Sequence, residues 1–301
     1  MAAATPSHYK REKYRGRLAP SPTGLLHAGH ARTFHTAWQR ARNARGALVM
    51  RMEDLDPDRS RAEYAEAALD DLHWLGLDWD EGPDIGGPFA PYAQSQRYAI
   101  YRAAMEQLVA GGFVYPCRCS RKDLAAAISA PHEDANQDPD DEPVYPGTCR
   151  PALHATDSWA STWADQATTA NWRFRVPDGE AIEFTDSNLG PQRYIAGVDF
   201  GDFVVWRRDD VPSYQLACVA DDAAMHITEV VRGADLLKST ARQILLNRAL
   251  GHYNPAWFHC ALMTDESGKR LAKRNDALSL RTLRERGFTP AQVLQANHAL
   301  Q

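Results

Sequence analysis

The chain has 301 residues, of which 44% are hydrophobic and 24% charged, a composition that excludes disordered and fibrous proteins. This length can bury a substantial core as one large domain or two moderate ones. Lys and Arg number 34 against 39 Asp and Glu, which gives a formal net charge of −5. The chain therefore has no overall positive charge that would indicate a polyanionic partner, although a local basic patch could still bind nucleic acid.

The sequence contains no run of about 18 apolar residues, the length that a membrane-spanning helix needs. Residues 1–16 also lack the apolar stretch of a signal peptide. We therefore expect a cytoplasmic protein without a membrane partner. The five cysteines form an odd set in a chain too large to need disulfides, which favours metal binding or free thiols.

The first part of the chain alternates between strand and helix patterns. Strands are predicted over 13–19 and 47–53, and helices over 28–43, 59–75 and 95–110. This alternation predicts an α/β fold with a parallel sheet and crossover helices.

The pattern changes at Phe113 and the helix-then-strand order returns after Pro212. Between them, 171–208 contains alternating runs typical of antiparallel strands, and 133–142 holds six acidic residues and no basic one, which predicts a solvated loop. An inserted α+β module explains the change. The expected division is a catalytic nucleotide-binding domain of 1–112 and 213–275, an inserted module of 113–212, and short C-terminal helices over 276–301.

Two histidines stand where the first strand leads into the first helix. His27 and His30 are three residues apart, so they share one face of the first helical turn and can donate hydrogen bonds to phosphate oxygens. Gly29 between them allows a nucleotide to approach the backbone. In a parallel sheet this junction opens on the crevice where ligands bind. Taken alone, the sequence His-Ala-Gly-His at 27–30 could occur by chance in a chain with 11 histidines.

A basic segment, 264–276, follows a predicted strand near the other end of the chain. Its four cations are Lys269, Arg270, Lys273 and Arg274. Such a loop could close over a triphosphate, because charge gathers on pyrophosphate when an adenylate forms. A solvated basic turn is the alternative explanation.

Four segments, in this order, resemble the signature blocks of class I glutamyl-tRNA synthetases. They are RLAPSPTGLLHAGHART, MRMEDLDPDR, DDVPSYQLACVADDAAMHITEVVRGADLLKSTARQ and RLAKR. Because the blocks span nearly the whole catalytic unit, the chain is identified as a member of this group. The resemblance implies a Rossmann-type parallel sheet and the ATP-dependent activation of L-glutamate.

The resemblance also implies roles for individual residues. The glutamate site would be formed by Arg17, Ala19, Ser21, Glu53, Tyr214 and Arg232. Glu53 would bind the α-ammonium and Arg232 the γ-carboxylate, a charge that favours glutamate over glutamine. A structural ion pair between Glu53 and Arg232 is the alternative.

The ATP site implied by the resemblance consists of His27, Gly29, His30 and Lys273, with the two histidines and the lysine as the catalytic groups. Mg²⁺ is expected to accompany ATP. In the block RLAKR, Arg270 and Ala272 stand where the family usually has a lysine and a serine. A catalytically silent binding paralogue therefore stays an alternative.

Three cysteines lie within 33 residues, at Cys117, Cys119 and Cys149, and their spacing indicates one structural Zn²⁺ that needs a fourth ligand. Spacing leaves Tyr145, His132 and His154 as candidates, and three unrelated thiols as the alternative. The pattern C-x-C…Y-x-x-x-C resembles that of the short glutamyl-Q tRNA(Asp) synthetases, which implies Tyr145. Cys218 and Cys260 lie in apolar runs and are expected to be core residues.

Only 26 residues follow Asn275, so we expect no anticodon-binding domain. The resemblance to the short family implies tRNA-independent glutamate activation and transfer to the queuosine base in the anticodon of tRNA(Asp). The inserted module and nearby basic residues would then present the anticodon stem-loop, and the enzyme is expected to be a monomer. The alternatives are a truncated glutamyl-tRNA synthetase that charges a 3′ end and a nucleotidyltransferase with a different substrate.

Overall fold

The computed structural model describes residues 13–120, 123, 144–152, 163, 168–262 and 279–295. The helices are α1 Ala28–Asn43, α2 Ala62–Trp74, α3 Tyr98–Ala110, α4 Tyr214–Ala224, α5 Leu237–Leu250, α6 Leu280–Glu285 and α7 Pro290–Gln295. The strands are β1 Arg15–Leu18, β2 Ala47–Met50, β3 Val114–Cys117, β4 Asn171–Phe174, β5 Ala181–Asp186, β6 Gly190–Ile195, β7 Phe203–Trp206, β8 Glu229–Gly233 and β9 Ala256–Cys260.

The parallel strands confirm the predicted α/β fold. β1 pairs with β2, and β8 pairs with β9, both in parallel. The backbone N–H of Thr228 donates to the carbonyl of Arg15 at 2.9 Å, which brings β8 beside β1. Leu48, Val49 and Met50 are fully buried, as expected for a parallel strand covered on both faces.

A separate antiparallel sheet has the strand order β3-β4-β7. Trp172 and Trp206 are fully buried within it, and the Trp163 ring meets each of them edge-on at 5.2 Å between centroids. These strands correspond to the antiparallel runs predicted around 171–176 and 202–208. The alternation is clear in β4, where Trp172 and Phe174 stand two residues apart and are buried, whereas β7 is a continuous apolar run, Phe-Val-Val-Trp.

The hairpin β5–β6 joins the parallel strands rather than the antiparallel sheet. Its sheet has the order β6-β5-β9-β8, and Asp186 at the end of β5 pairs with Trp257 in β9. The sequence did not predict β5 and placed this stretch inside the 113–212 module. The module boundaries stay a prediction, but part of the segment lies in the sheet of the catalytic unit.

The helix predictions hold for the described residues, with shifts at their ends. α1 has the predicted limits, whereas α2 begins at Ala62 because the Asp56 carboxylate accepts backbone N–H bonds from Asp58 and Arg59 and holds a turn there. Two short helices, α6 and α7, occupy the C-terminal stretch. No helix in the described part of the chain is long and apolar enough to cross a bilayer.

Candidate active site

A cavity of about 1120 Å³ lies between the carboxyl ends of β1 and β2 on one side and the antiparallel sheet on the other. The first wall includes Ser21, Glu53 and Tyr214, three of the residues expected to bind glutamate. The opposite wall includes Cys119, Asn171 and Arg208. Ala19 follows β1 and is half-buried, but it is not among the cavity residues. The cavity therefore brings the predicted amino-acid pocket against the cysteine-bearing region.

Glu53 is buried at the cavity and has a cationic partner. Its Oε1 accepts a hydrogen bond from the guanidinium of Arg51 at 3.0 Å, and the Cys218 thiol lies 3.4 Å from the same oxygen. The partner is Arg51 and not Arg232, so the alternative ion pair between Glu53 and Arg232 is wrong. An acidic group fixed at the cavity wall can bind an ammonium ion.

Arg51 is fully buried and connects Glu53 to two carboxylates of α4. It donates to Asp222 at 2.7 Å and lies 3.8 Å from Asp221. Arg97 in turn bonds to Asp221 at 2.6 Å. Buried charges need this kind of pairing, because an uncompensated ion loses its hydration without replacement.

Arg17 lies on β1 and completes the same network. One of its terminal nitrogens donates to the carbonyl of Val231 at 2.9 Å, and its Nε lies 3.7 Å from Asp222. The network thus contains three buried arginines and three buried carboxylates: Arg17, Arg51, Arg97, Glu53, Asp221 and Asp222. Its balanced charge holds Glu53 in place without a net buried charge from these six groups.

Arg232 lies on β8, beside β1, and is only 4% exposed. Its guanidinium donates to Gln243 at 2.9 Å, to Thr240 at 2.7 Å and, over a longer 3.4 Å, to the hydroxyl of Tyr214. Among the described residues it has no acidic partner. Arg232 and Arg17 are not among the cavity residues, and Arg232 reaches the cavity wall through its contact with Tyr214. A buried cation held by neutral acceptors can pair with an anion that binds beside it.

The fourth contact of Arg232 is with His259 on β9. The Nε of Arg232 lies 3.1 Å from Nε2 of His259, and the other ring nitrogen lies 2.7 Å from Asp186. Burial and the charge of Arg232 lower the pKa of His259 to about 4, against the opposing effect of Asp186. This imidazole is therefore neutral at physiological pH.

His27 and His30 lie together at the start of α1, as predicted. Their rings stack with centroids 3.8 Å apart, and the backbone N–H of His27 donates to Nδ1 of His30 at 3.3 Å. Gly29 lies between them in the first turn. The first N–H groups of a helix and its positive dipole end attract phosphate, so this position suits a nucleotide.

The segment that carries Lys273 lies outside the described residues, as do Arg270 and Ala272. The residues on its two sides are described. Leu262 would lie 3.4 Å from a Cβ placed on Gly233 at the end of β8, and Ser279 forms a β-bridge with His27. The described residues on its two sides therefore lie near the end of β8 and beside the histidine pair.

The three cysteines of the predicted metal site come together. The sulfur atoms of Cys117, Cys119 and Cys149 lie within 4.8 Å of one another, and those of Cys119 and Cys149 are 3.4 Å apart. The Tyr145 hydroxyl lies 3.4 Å from Cys117 and 3.6 Å from Cys119. A tetrahedral zinc with Zn–S bonds of about 2.3 Å separates its donor atoms by about 3.5 to 3.8 Å, so the four groups fit such an ion.

The surroundings of this cysteine cluster act in opposite directions on two of its thiols. Burial raises the pKa of Cys119 to about 11. Burial opposes ionisation of Cys149, but hydrogen bonds from the Arg118 backbone and from Tyr145 lower its pKa to about 7. Arg173 donates to the Cys117 sulfur at 3.3 Å. The alternative ligands His132 and His154 lie outside the described residues.

The wall of the cavity next to this cluster is rich in arginine. Arg207 forms an ion pair with Asp209 at the surface, and Arg208 is exposed with its backbone N–H bonded to Asn171. Arginine side chains at the mouth of a cavity can bind RNA phosphates, and such contacts weaken as salt concentration rises.

Comparison with known proteins agrees with this geometry. Residues 13–299 match the catalytic domain of class I tRNA synthetases (E and Q). The glutamyl-Q tRNA(Asp) synthetase of Symbiobacterium thermophilum is 50% identical over 93% of this chain and 84% of that protein. The protein of the same name from Nitratidesulfovibrio vulgaris is 48% identical over 93% of this chain and 83% of its own length.

The chain belongs to the glutamyl-Q tRNA(Asp) synthetase family. It is therefore a ligase of the class I aminoacyl-tRNA synthetase type. A crystal structure of the glutamate-tRNA synthetase from Elizabethkingia anophelis superposes with a TM-score of 0.75 at 29% identity. That match covers 92% of this chain but 54% of the larger synthetase, so the chain spans about half the length of that structure.

Sequence reasoning about this synthetase missed the groups behind the pocket. Arg51, Asp221 and Asp222 stand inside the quoted blocks, yet they were not singled out. Charged residues inside runs of buried apolar residues were the available signal, because such charges need partners. His259 and Asp186 carried no comparable signal, since they meet only when β5 and β9 pair.

Proposed function

We propose that this protein activates L-glutamate with ATP, without needing tRNA, and then transfers the glutamyl group to an RNA. The observation that carries the proposal is Arg232, a buried cation with neutral partners among the described residues, beside Tyr214 on the cavity wall. Its charge matches the γ-carboxylate of glutamate. Glutamine would leave that buried charge unpaired, at a cost of several kcal/mol.

In the proposed reaction, an oxygen of the glutamate α-carboxylate attacks the α-phosphorus of ATP. A bond forms between this carboxylate oxygen and the α-phosphorus. At the same time the bond between the α-phosphorus and the oxygen that bridges to the β-phosphorus breaks, and pyrophosphate leaves with that electron pair. Glu53 would bind the α-ammonium and Arg232 the side-chain carboxylate, which positions the nucleophile. No protein nucleophile is required.

The ATP phosphates would lie at the start of α1, against His27 and His30. Lys273 is proposed to reach the same phosphates from the segment between Leu262 and Ser279, where it would stabilise charge on the departing pyrophosphate. Mg²⁺ bound to ATP would supply further neutralisation of the phosphate charge.

For the metal, we propose one structural Zn²⁺ held by Cys117, Cys119, Tyr145 and Cys149. The donor set supports it: three sulfurs and one oxygen at tetrahedral spacing, with an arginine against one sulfur. The ion would fix the end of β3 against the segment around Cys149.

The second substrate is proposed to be tRNA(Asp) carrying queuosine. A hydroxyl of the queuosine cyclopentene-diol would attack the carbonyl carbon of the glutamyl-adenylate, and the new ester bond would form as the bond to AMP breaks and AMP leaves. The names of the two family members at 50% and 48% identity support this assignment. The cavity supports it too, because its arginine-rich far wall offers phosphate contacts close to the activated amino acid. Binding should therefore weaken as salt concentration rises.

The test has two stages. Glutamate-dependent exchange of pyrophosphate with ATP measures activation without tRNA, and its absence would support a binding paralogue instead. Labelled glutamate is then offered to tRNA(Asp) with and without queuosine, each prepared both with a free 3′ end and with a 2′,3′-dideoxy terminal adenosine that cannot be esterified. We expect label only on the queuosine-containing RNA. Label that is lost with the blocked 3′ end would identify a small glutamyl-tRNA synthetase.

A further inference from the structure

The hydrogen bonds behind Arg232 continue to two buried side chains that the proposed reaction does not use. His259 is fully buried and Asp186 is 1% exposed. They lie on β9 and at the end of β5, 73 residues apart in sequence. Among the described residues, their ring and carboxylate form a continuous chain from the β5–β6 hairpin to Arg232.

The chemistry of Arg232 decides which ring nitrogen of His259 carries the proton. A guanidinium can only donate, so the His259 Nε2 that faces it at 3.1 Å must accept. The proton therefore lies on Nδ1, which donates to the Asp186 carboxylate at 2.7 Å. The opposite tautomer would turn an N–H toward the N–H of Arg232.

Asp186 is itself held in one orientation. One carboxylate oxygen accepts backbone N–H bonds from Asn188 at 3.0 Å and Leu189 at 2.8 Å, and the other accepts the backbone N–H of His259 at 3.0 Å. Burial opposes its ionisation, but the bonds from the His259 ring and these N–H groups keep the pKa of Asp186 below its ordinary value. The carboxylate is thus an acceptor with a fixed direction.

Four contacts of Arg232 occupy four of its five N–H bonds. They go to His259, Gln243, Thr240 and Tyr214, the last over 3.4 Å. The fifth N–H lies on the nitrogen that also donates to Thr240 and has no acceptor among the described residues. The bond from Nε to His259 is one of those that hold the guanidinium plane, so the His259 tautomer contributes to the direction of this donor.

We propose that Asp186 and His259 are positioning residues that orient Arg232 toward the side-chain carboxylate of the amino-acid substrate and so set its selectivity for glutamate over glutamine. This proposal rests on the proposed function. The role is analogous to that of an aspartate that holds a histidine in one tautomer at an active site.

The decisive variant is Asp186→Asn. Its NH₂ group would take the place of the oxygen nearest the His259 ring, donate to Nδ1 of His259 and force the proton onto Nε2. Its amide oxygen can still accept the turn N–H bonds, and it is also the remaining acceptor for the backbone N–H of His259, from which it lies 3.3 Å. We expect the KM for glutamate in pyrophosphate exchange to rise about tenfold or more, as for other buried partners that orient a ligand-binding group. The KM for ATP and the melting temperature should change little, and the preference for glutamate over glutamine should fall.

Asp199→Asn is the matched control, because Asp199 accepts a backbone N–H bond in the turn that directly follows the same hairpin. Its carboxylate accepts the backbone N–H of Ile195 at 2.5 Å and contacts neither His259 nor Arg232. We expect wild-type kinetics from this variant. An equal rise in the glutamate KM for both variants would show that only hairpin stability matters, and would overturn the proposal.

Two His259 variants test the acceptor directly. His259→Gln offers an amide oxygen where Nε2 accepts, whereas His259→Leu offers none. The glutamate KM should therefore increase in the order wild type, His259→Gln, His259→Leu. Equal values for the two variants would contradict the proposal.

A spectroscopic readout separates orientation from packing. In ¹⁵N-histidine NMR spectra, the signals absent from His259→Gln report His259, and they should show the Nδ1–H tautomer in the wild type and the Nε2–H tautomer in Asp186→Asn. An unchanged tautomer would overturn the proposal. If the wild type shows no glutamate-dependent exchange, the proposed function fails, whereas normal exchange with unaltered kinetics in Asp186→Asn refutes the positioning role alone.

Discussion

The proposed amino-acid pocket and the cysteine cluster meet at one cavity, but they are held in different ways. The pocket rests on six buried, mutually paired charges from β1, α4 and the segments after β2 and before α3, within a large apolar core. The fully buried part around the cysteines is small, namely Tyr115, Cys117 and Tyr145. The pocket can therefore keep its shape through the protein's own packing, whereas the cysteine cluster would depend on the proposed zinc ion.

Metal removal should separate the two regions most strongly. We expect one zinc per chain by elemental analysis of protein purified without chelator, and loss of that zinc in Cys117→Ser. Structural zinc contributes on the order of 10 kcal/mol of apparent binding energy in small domains, so the segments around Cys117 and Cys149 should become protease-sensitive. The KM for glutamate should stay near its wild-type value.

Cys260→Ser is the matched control, because Cys260 lies on β9 outside the cysteine cluster. This variant should keep its zinc and its protease resistance. Wild-type protein without zinc would refute the metal assignment. If chelation abolished glutamate binding as well, the two regions would not be independent.

Arg232→Ala should affect the pocket alone. Truncating one partner of a buried charge pair costs about 2 to 5 kcal/mol, so kcat/KM for glutamate in pyrophosphate exchange should fall by roughly 10³-fold, close to abolition. Zinc content should not change. Arg248→Ala is the control, since Arg248 lies on the exposed side of α5 and pairs with Glu180 at the surface. An unchanged activation rate in Arg232→Ala would refute its assignment.

Arg51→Met tests whether the paired charges hold the pocket. The substitution leaves Glu53 and Asp222 buried without their 3.0 and 2.7 Å partner, which should lower the free energy of unfolding by about 3 kcal/mol. Urea unfolding measures the change. Arg193→Met removes an exposed pair with Glu183 and should cost less than about 1 kcal/mol. Equal effects of the two substitutions would mean that the buried network adds no stability of its own.

The same contrast explains what the sequence could predict. The elements α1, β2 and α4 follow from apolar periodicity, and the histidine pair and the cysteines follow from local spacing. Their geometry is short-range in sequence: His27 and His30 share one helical turn, and Cys119 follows two residues after Cys117, the last residue of β3. Local sequence patterns therefore predict such sites directly.

The support of the pocket depends on contacts that no local pattern contains. Asp186 meets His259 only because β5 pairs with β9, and β5 itself has a mixed pattern of buried and exposed residues that hid the strand. Arg51 meets Asp222 across 171 residues. Long-range pairing of this kind is decided by tertiary packing, so a sequence shows the charges but not their partners.

The smallest expected effect is a pH dependence that belongs to the pocket. His259 has a pKa of about 4 in the folded protein, below the value near 6.5 of an unfolded chain. Between these values the unfolded state binds the proton first, so the stability present above pH 6.5 is lost as the pH falls toward 4. From pH 7.5 to pH 5 this group alone should lower the free energy of unfolding by about 1 to 2 kcal/mol.

Urea unfolding of the wild type and of His259→Gln at these two pH values measures the effect, because all other titrating groups are common to both proteins. The free energy of unfolding should decrease by a correspondingly smaller amount in His259→Gln. A decrease as large as in the wild type would show that His259 does not resist protonation in the fold, and the Nε2 that Arg232 requires as an acceptor would then be open to protonation.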